Sequence, residues 1–180
     1  MSPARSVRRD EVLELALEVL ERNGLEAFSL VEVARAAGVK PPSLYKQFDG
    51  KADIESRLIE LGFRMQGEST QRALAALGPS PTRRMVVEML ARAYRDFGHR
   101  HPQLYRLMHE RPLPPSLPQD AYDARALTYR ALFADRTTSV ALWAWAHGLL
   151  ILELAGRYES EIDVEQLWAI LIDRIVASDG

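Results

Sequence analysis

The 180-residue chain has no cysteine, only three lysines, and no excess of either charge: 23 basic residues stand against 25 acidic ones, for a net charge of -2 at pH 7. Each scarcity excludes something. Without cysteine there are no disulfides, no thiolate metal sites and no cysteine-based redox sensing, which suits a reducing cytoplasm. Without a basic excess, the chain is not one that coats nucleic acid nonspecifically over its whole surface. The pattern also lacks the alternation of strands. No glycine-rich phosphate loop, paired carboxylates or activated nucleophile stands in a catalytic context, so the sequence predicts no enzyme. The opening MSPARSVRRDEVLEL carries charges where a secretion signal needs an apolar core, and it predicts no export. His99 and His101 flank Arg100, and His109 precedes Glu110, but histidines two apart diverge on a helix and no carboxylate stands at ligand spacing with both. No metal and no cofactor are expected.

One apolar run needs testing against the membrane. Val140 to Ala155, VALWAWAHGLLILELA, is too short to span comfortably, contains His147 and Glu153, and is flanked by Arg136 and Arg157. The expectation is a buried helix inside a bundle.

What the chain does contain is concentrated between Ser29 and Lys51, SLVEVARAAGVKPPSLYKQFDGK. Ser29 and Glu32 have the spacing of a capping box. Val33, Ala34 and Ala37 turn one stripe inward, and Gly38 reads as a turn, because a left-handed backbone is nearly free for glycine. Pro41 and Pro42 follow, and a proline near the first helical position loses no hydrogen bond, so a second helix is expected from about Pro42. Leu44 and Phe48, four apart, share its inner face and leave Ser43, Tyr45, Lys46 and Gln47 outward. All three lysines of the chain, Lys40, Lys46 and Lys51, rim this unit. A polar helix face edged by local positive charge suits the phosphate backbone of a duplex. The grammar is that of a helix-turn-helix.

The run AxxAGVxxxSLYxxFxGK resembles the DNA-binding signature of TetR-type bacterial transcriptional regulators. Pro41 departs from it, standing where the family often carries a small or basic residue. The resemblance implies a first bracing helix, a helix-turn-helix from the second and third, and a fourth linking it to a ligand-binding, dimer-forming body. It implies that Tyr45 and Lys51 hold phosphates while Ser43 and Lys46 face the major groove. The candidate DNA-facing set is Ser29, Lys40, Pro42, Ser43, Tyr45, Lys46 and Lys51. Further along, WAHGLLILELAGRY resembles the tryptophan-histidine-glycine body of one subgroup.

The rest of the chain reads as helices. Arg8 to Asn23 carries Leu13, Ala16, Leu17 and Leu20 on one stripe, with Gly24 as its stop. After Lys51 a long connector places Ile54, Leu58, Leu61 and Met65 in register until Gly78, Pro79 and Pro81 break it. Met85, Val86, Met89, Leu90, Ala93 and Phe97 mark a helix ending near Gly98, and Pro102 opens a short one through Met108. Pro112 to Pro118 form a stiff loop. Helices at about Gln119 to Phe133, Thr138 to Arg157 and Val164 to Val176 close the chain.

The fold expected is therefore all-α: a helix-turn-helix domain over 1–50 and a helical ligand-binding and dimerisation domain over 51–180. Met89, Phe97, Tyr105, Met108, Tyr129, Trp143 and His147 are candidates to line an effector pocket, each also suited to plain core. Leu149, Leu152, Trp168, Leu171, Ile172 and Ile175 offer more apolar surface than one small subunit covers and are candidates for a four-helix dimer interface. The expected function is a cytoplasmic, homodimeric, sequence-specific regulator of transcription, a repressor released from operator DNA by a small, largely apolar effector. The competing reading is a helical small-molecule-binding protein that keeps the reader scaffold without its DNA function.

Overall fold

The computed structural model describes residues 8–130 and 135–178, with side chains described over 8–124 and 135–178. Every regular element among them is helical: α1 (Arg9–Asn23), α2 (Leu30–Ala36), α3 (Pro41–Tyr45), α4 (Lys51–Ala75), α5 (Arg83–Arg100), α6 (Pro102–Glu110), α7 (Gln119–Arg130), α8 (Arg136–Leu154) and α9 (Val164–Ala177). The expected all-α architecture is what is found. The end of α7 expected near Phe133 lies outside the described residues.

Local chemistry sets most boundaries. Lys40 is the N-cap of α3, which starts at Pro41, one residue before the position expected. Asp135 starts α8 two residues early, its carboxylate accepting from the Thr137 and Thr138 N–H groups at 3.3 and 2.7 Å. Asp163 caps α9 in the same way through Glu165 and Gln166. Gly98 does not stop α5, which continues to Arg100. Its bare Cα instead admits α8: a Cβ there would stand 2.6 Å from Leu150 Cδ2.

The chain packs as two compact units. The first comprises Met1–Phe63 with His101–Ala121, the second Arg64–Arg100 with Tyr122–Gly180. This division differs from the expected boundary after residue 50, because α6 and the first half of α4 belong with the reader helices. Two contacts account for α6. The Glu21 carboxylate of α1 accepts from the Gln103 and Leu104 N–H groups at 3.1 and 2.9 Å, filling the open N-terminus of α6. Gly62 of α4 leaves room for Leu104 and Met108, since a Cβ there would meet Met108 Sδ at 2.5 Å. Around these, Val12, Ala16, Leu20, Leu25, Phe28, Val33, Leu44, Phe48, Ile54 and Leu58 form a closed core.

The second unit is built on α5, α8 and α9. Val87, Leu90, Tyr94, Phe97, Leu150, Trp168 and Leu171 are buried in it. The expectation that α8 would be a buried helix is corrected here. Among the described residues α8 is the one helix long and apolar enough to cross a membrane, yet only Ser139, Leu149 and Leu150 of it are buried. Val140, Trp145 and Leu152 are exposed to 45%, 41% and 44%. The helix is apolar on all sides, and the neighbouring helices of one chain cover a single stripe of it.

Candidate nucleic-acid interface

Within the first unit the turn between α2 and α3 closes as a Schellman motif. The Val39 N–H donates to Ala34 O at 3.0 Å and the Gly38 N–H to Arg35 O at 3.1 Å, with Gly38 at φ +66°. At the other end of α2 the expected capping box forms by half. Ser29 Oγ accepts from the Glu32 N–H at 3.3 Å, while the Glu32 carboxylate turns to Arg35 at 2.7 Å. Leu44 and Phe48 are buried, so the outward side of α3 is fixed by its own packing.

On that side Lys40, Pro42, Tyr45 and Lys46 are exposed, Tyr45 to 57%, and Ser43 is half-buried beside them. These five of the seven expected residues form one short polar surface. Ser29 sits apart in the role of helix cap. Lys51 is half-buried at the start of α4, 3.6 Å from the Glu55 carboxylate, its ammonium 5.8 Å from the centre of the Phe28 ring. A lysine held in that way presents its charge along a defined direction.

A polar cluster behind α3 did not figure among the expected residues. Arg9 donates to the Gln47 carbonyl, where the chain leaves α3, and its guanidinium lies 5.0 Å from the centre of the Phe48 ring. Arg57 lies over the same ring at 6.0 Å. Between the two arginines stands Asp53, which accepts from Arg57 Nε at 2.9 Å and from the Asp49 N–H at 3.0 Å and lies 3.8 Å from Arg9 Nη2. The Asp53–Arg57 spacing of four is legible on a helix; the join to Arg9 and Gln47 is not.

The residues expected to line an effector pocket are divided between the two units. Tyr105 and Met108 are buried in the first unit, where the Tyr105 and His109 rings pack 4.4 Å apart. Met89, Phe97, Trp143 and His147 belong to the second. Phe97 is core; His147 stacks on Trp143 with ring centres 5.5 Å apart, and burial pushes its imidazole below the ordinary histidine value. Tyr129 lies outside the described side chains.

The second unit contains a cavity of about 710 Å³ along α5 and α9, lined among others by Trp168, Ala169 and Ile172. Its centre is ionic. Glu153 of α8 receives Arg95 in a fork at 2.7 to 3.1 Å, His99 at 2.9 Å and Trp168 Nε1 at 3.0 Å. Burial alone would raise the Glu153 carboxyl, but the hydrogen bonds from Arg95, Trp168 and His99 prevail and hold it below the ordinary carboxylate range. Glu165 takes the far side of Arg95 at 2.7 Å, and the guanidinium lies 5.6 Å from the Trp168 ring centre. The carboxylate and the ring are thereby filled by the protein's own arginine. Nothing in the sequence announces this cluster, since Arg95 and Glu153 are 58 positions apart.

Of the expected interface residues, Leu149, Trp168, Leu171 and Ile175 are covered within the unit, Ile172 is half-buried, and Leu152 is exposed. The large apolar side chains of α8 and α9 that remain open are Val140, Trp145, Leu152 and Ile170.

Comparison with known proteins matches residues 12–57 to the bacterial regulatory proteins of the tetR family, and residues 87–175 to the tetracyclin repressor-like C-terminal domain. The chain belongs to the TetR family. The first match contains the whole of the helix-turn-helix from Ser29 to Lys51; the second runs from α5 to α9. Among relatives, an uncharacterised HTH-type transcriptional regulator of Mycobacterium tuberculosis is 27% identical over 97% of this chain and 82% of its own length. A protein of unknown function from Rhodococcus sp. RHA1 shares the fold, with a TM-score of 0.76 at 22% identity over 98% of this chain and 97% of that one. So does the transcriptional regulator FadR of Bacillus subtilis, solved in complex with stearoyl-CoA, with a TM-score of 0.65 at 15% identity over 94% and 98%.

Proposed function

We propose that this TetR-family regulator is a cytoplasmic homodimeric repressor whose two α3 helices enter successive major grooves of a partly palindromic operator. The observation that carries the DNA contact is the row of exposed Lys40, Pro42, Tyr45 and Lys46 with half-buried Ser43 beside them, held outward by the buried pair Leu44 and Phe48. Ser43 and Lys46 read base edges; Tyr45 and Lys51 hold phosphates. The likeness of the C-terminal half to the tetracyclin repressor favours repression. Dimer formation is favoured by the open apolar face of α8 and α9, since surfaces of that kind mark association sites.

The second unit is the sensor in this reading. An effector that binds only the form with wrongly spaced readers lowers operator affinity by its coupling free energy, typically about 1–3 kcal/mol. The acyl ligand of FadR favours a largely apolar effector. A gel-shift titration on DNA from upstream of the protein's own coding region tests the proposal. The wild type retards that DNA specifically at moderate salt, and the double variant Tyr45→Ala, Lys46→Ala loses at least about a hundredfold in affinity while its melting curve is kept. Equal retardation of unrelated DNA by both proteins sinks it.

A further inference from the structure

We infer that Asp53 is a positioning residue for the α3 reader, so that operator recognition depends on a negative charge placed behind the DNA-facing surface. The inference rests on the DNA-binding reading above. Its ground is the way one carboxylate joins three pieces of the first unit. Asp53 Oδ2 takes the Asp49 N–H at 3.0 Å, fixing the turn by which the chain passes from α3 to α4. Asp53 Oδ1 holds Arg57 Nε at 2.9 Å. Arg9 of α1 is drawn to within 3.8 Å of the same carboxylate and donates to the Gln47 carbonyl just beyond α3. Both guanidinium groups lie over the ring of Phe48, whose burial seats α3 on its neighbours. With the carboxylate charge removed, two arginines held close together lose the group that balances them. The Arg9 link from α1 to the exit of α3 loosens with it.

The inference has a sign that a plain surface carboxylate does not share. On charge alone, removing an acidic group beside a DNA-binding face tightens binding to the polyanion and steepens its salt dependence, since Arg9 and Arg57 are freed to meet phosphates. Positioning predicts the opposite for the specific site: a misdirected α3 loses base contacts, and the specific complex weakens although net attraction to DNA has risen.

Asp53→Asn separates the two effects, because its amide oxygen still accepts the Asp49 N–H while the charge is gone. Specific and nonspecific DNA are titrated with wild type, Asp53→Asn and Asp53→Glu over a range of salt, alongside melting curves and amide hydrogen exchange of the free proteins. The expected result is a specific affinity lower by about tenfold or more in Asp53→Asn, with nonspecific affinity equal or higher. Asp53→Glu, which keeps the charge, recovers part of the loss, and exchange over residues 46–50 quickens in Asp53→Asn. Tighter specific binding by Asp53→Asn overturns the inference, as does unchanged exchange over that segment. If the wild type fails to bind operator DNA, the DNA-binding reading falls, and the exchange result still decides whether Asp53 holds α3 in place. If Asp53→Asn shows a large drop in melting temperature, binding is compared with that of Asp53→Glu at a temperature where both are folded: recognition better kept by Asp53→Glu supports positioning by the charge, and equal recognition by the two overturns it.

Discussion

The two units of this chain solve the same problem of burying apolar helices and leave opposite surfaces behind. The first closes its core: Leu20, Leu25, Leu44, Ile54 and Leu58 are wholly inaccessible, and the outer side of α3 is left with hydroxyl, phenol and ammonium groups. The second buries a stripe of α8 and leaves Val140, Trp145 and Leu152 in the open, with Ile170 on α9. Their polar groups differ as well. In the first, carboxylates hold backbone, Glu21 at the start of α6 and Asp53 at the turn into α4. In the second, Glu153 holds side chains, gathering Arg95, His99 and Trp168 across three helices. The first unit leaves a polar, cationic row along α3, and the second leaves apolar side chains along α8 and α9, the face proposed above to meet a second copy of the chain.

The largest effect is expected from breaking that partner surface. Trp145→Glu with Leu152→Glu places two charges on the open face of α8, and an unpaired charge cannot be buried against a second apolar surface without a penalty of several kcal/mol. Sedimentation should show a dimer for the wild type and a monomer for the variant. Operator affinity should fall by about a hundredfold or more, because two half-sites are no longer bound as one event. A variant that sediments and binds as the wild type does would remove α8 from the interface.

The same contrast explains what was legible beforehand. Local chemistry is written locally: the Ser29 cap, the Gly38 turn and the Leu44–Phe48 pair lie within a few residues of what they control, and all stand where the sequence puts them. Polarity of the α3 surface follows from the same spacing. Attachment of α6 to the first unit was not legible, because it depends on Glu21 meeting backbone N–H groups some eighty positions away. Phe63 is buried although the apparent stripe of α4 ran through Leu61 and Met65, since over 25 residues an ideal helix rotates away from any strict repeat. An effector-lining set is not legible for a further reason: methionine and aromatic side chains suit core and cavity alike, and composition does not separate the two.

A middle-sized effect is expected at Glu153. Because its carboxyl is depressed, its stabilising contribution is fully present above the ordinary glutamate value, about 4.3, and is lost as pH falls through the lower folded value. Glu153→Gln removes the charge at every pH and leaves Arg95 with only Glu165, a loss of about 1–3 kcal/mol at neutral pH. Melting temperatures measured from pH 7 down to pH 3 should therefore converge, the wild type losing its advantage in acid. Parallel curves would show that Glu153 contributes no charge-dependent stability.

The smallest effect is the most discriminating, because it strikes the same motif once in each unit. Gly38 and Gly156 both lie in the left-handed region, at φ +66° and +61°, with nothing within 4 Å of an added Cβ. Both are followed by a residue that closes a Schellman bond, Val39 to Ala34 O at 3.0 Å and Arg157 to Leu152 O at 2.9 Å. Alanine at either place meets backbone strain and no steric clash, so each variant should lose about 1 kcal/mol and roughly 2–4 °C in melting temperature. Stability alone does not tell them apart; DNA does. Gly38 sets the angle at which α3 leaves α2, whereas Gly156 ends α8 far along the chain from the reader. A matched loss of stability with a loss of operator affinity only in Gly38→Ala separates the reader from the body by function. Equal losses of affinity in both variants would mean that strain in the second unit reaches the reader, and the two units would then have to be treated as one mechanical system.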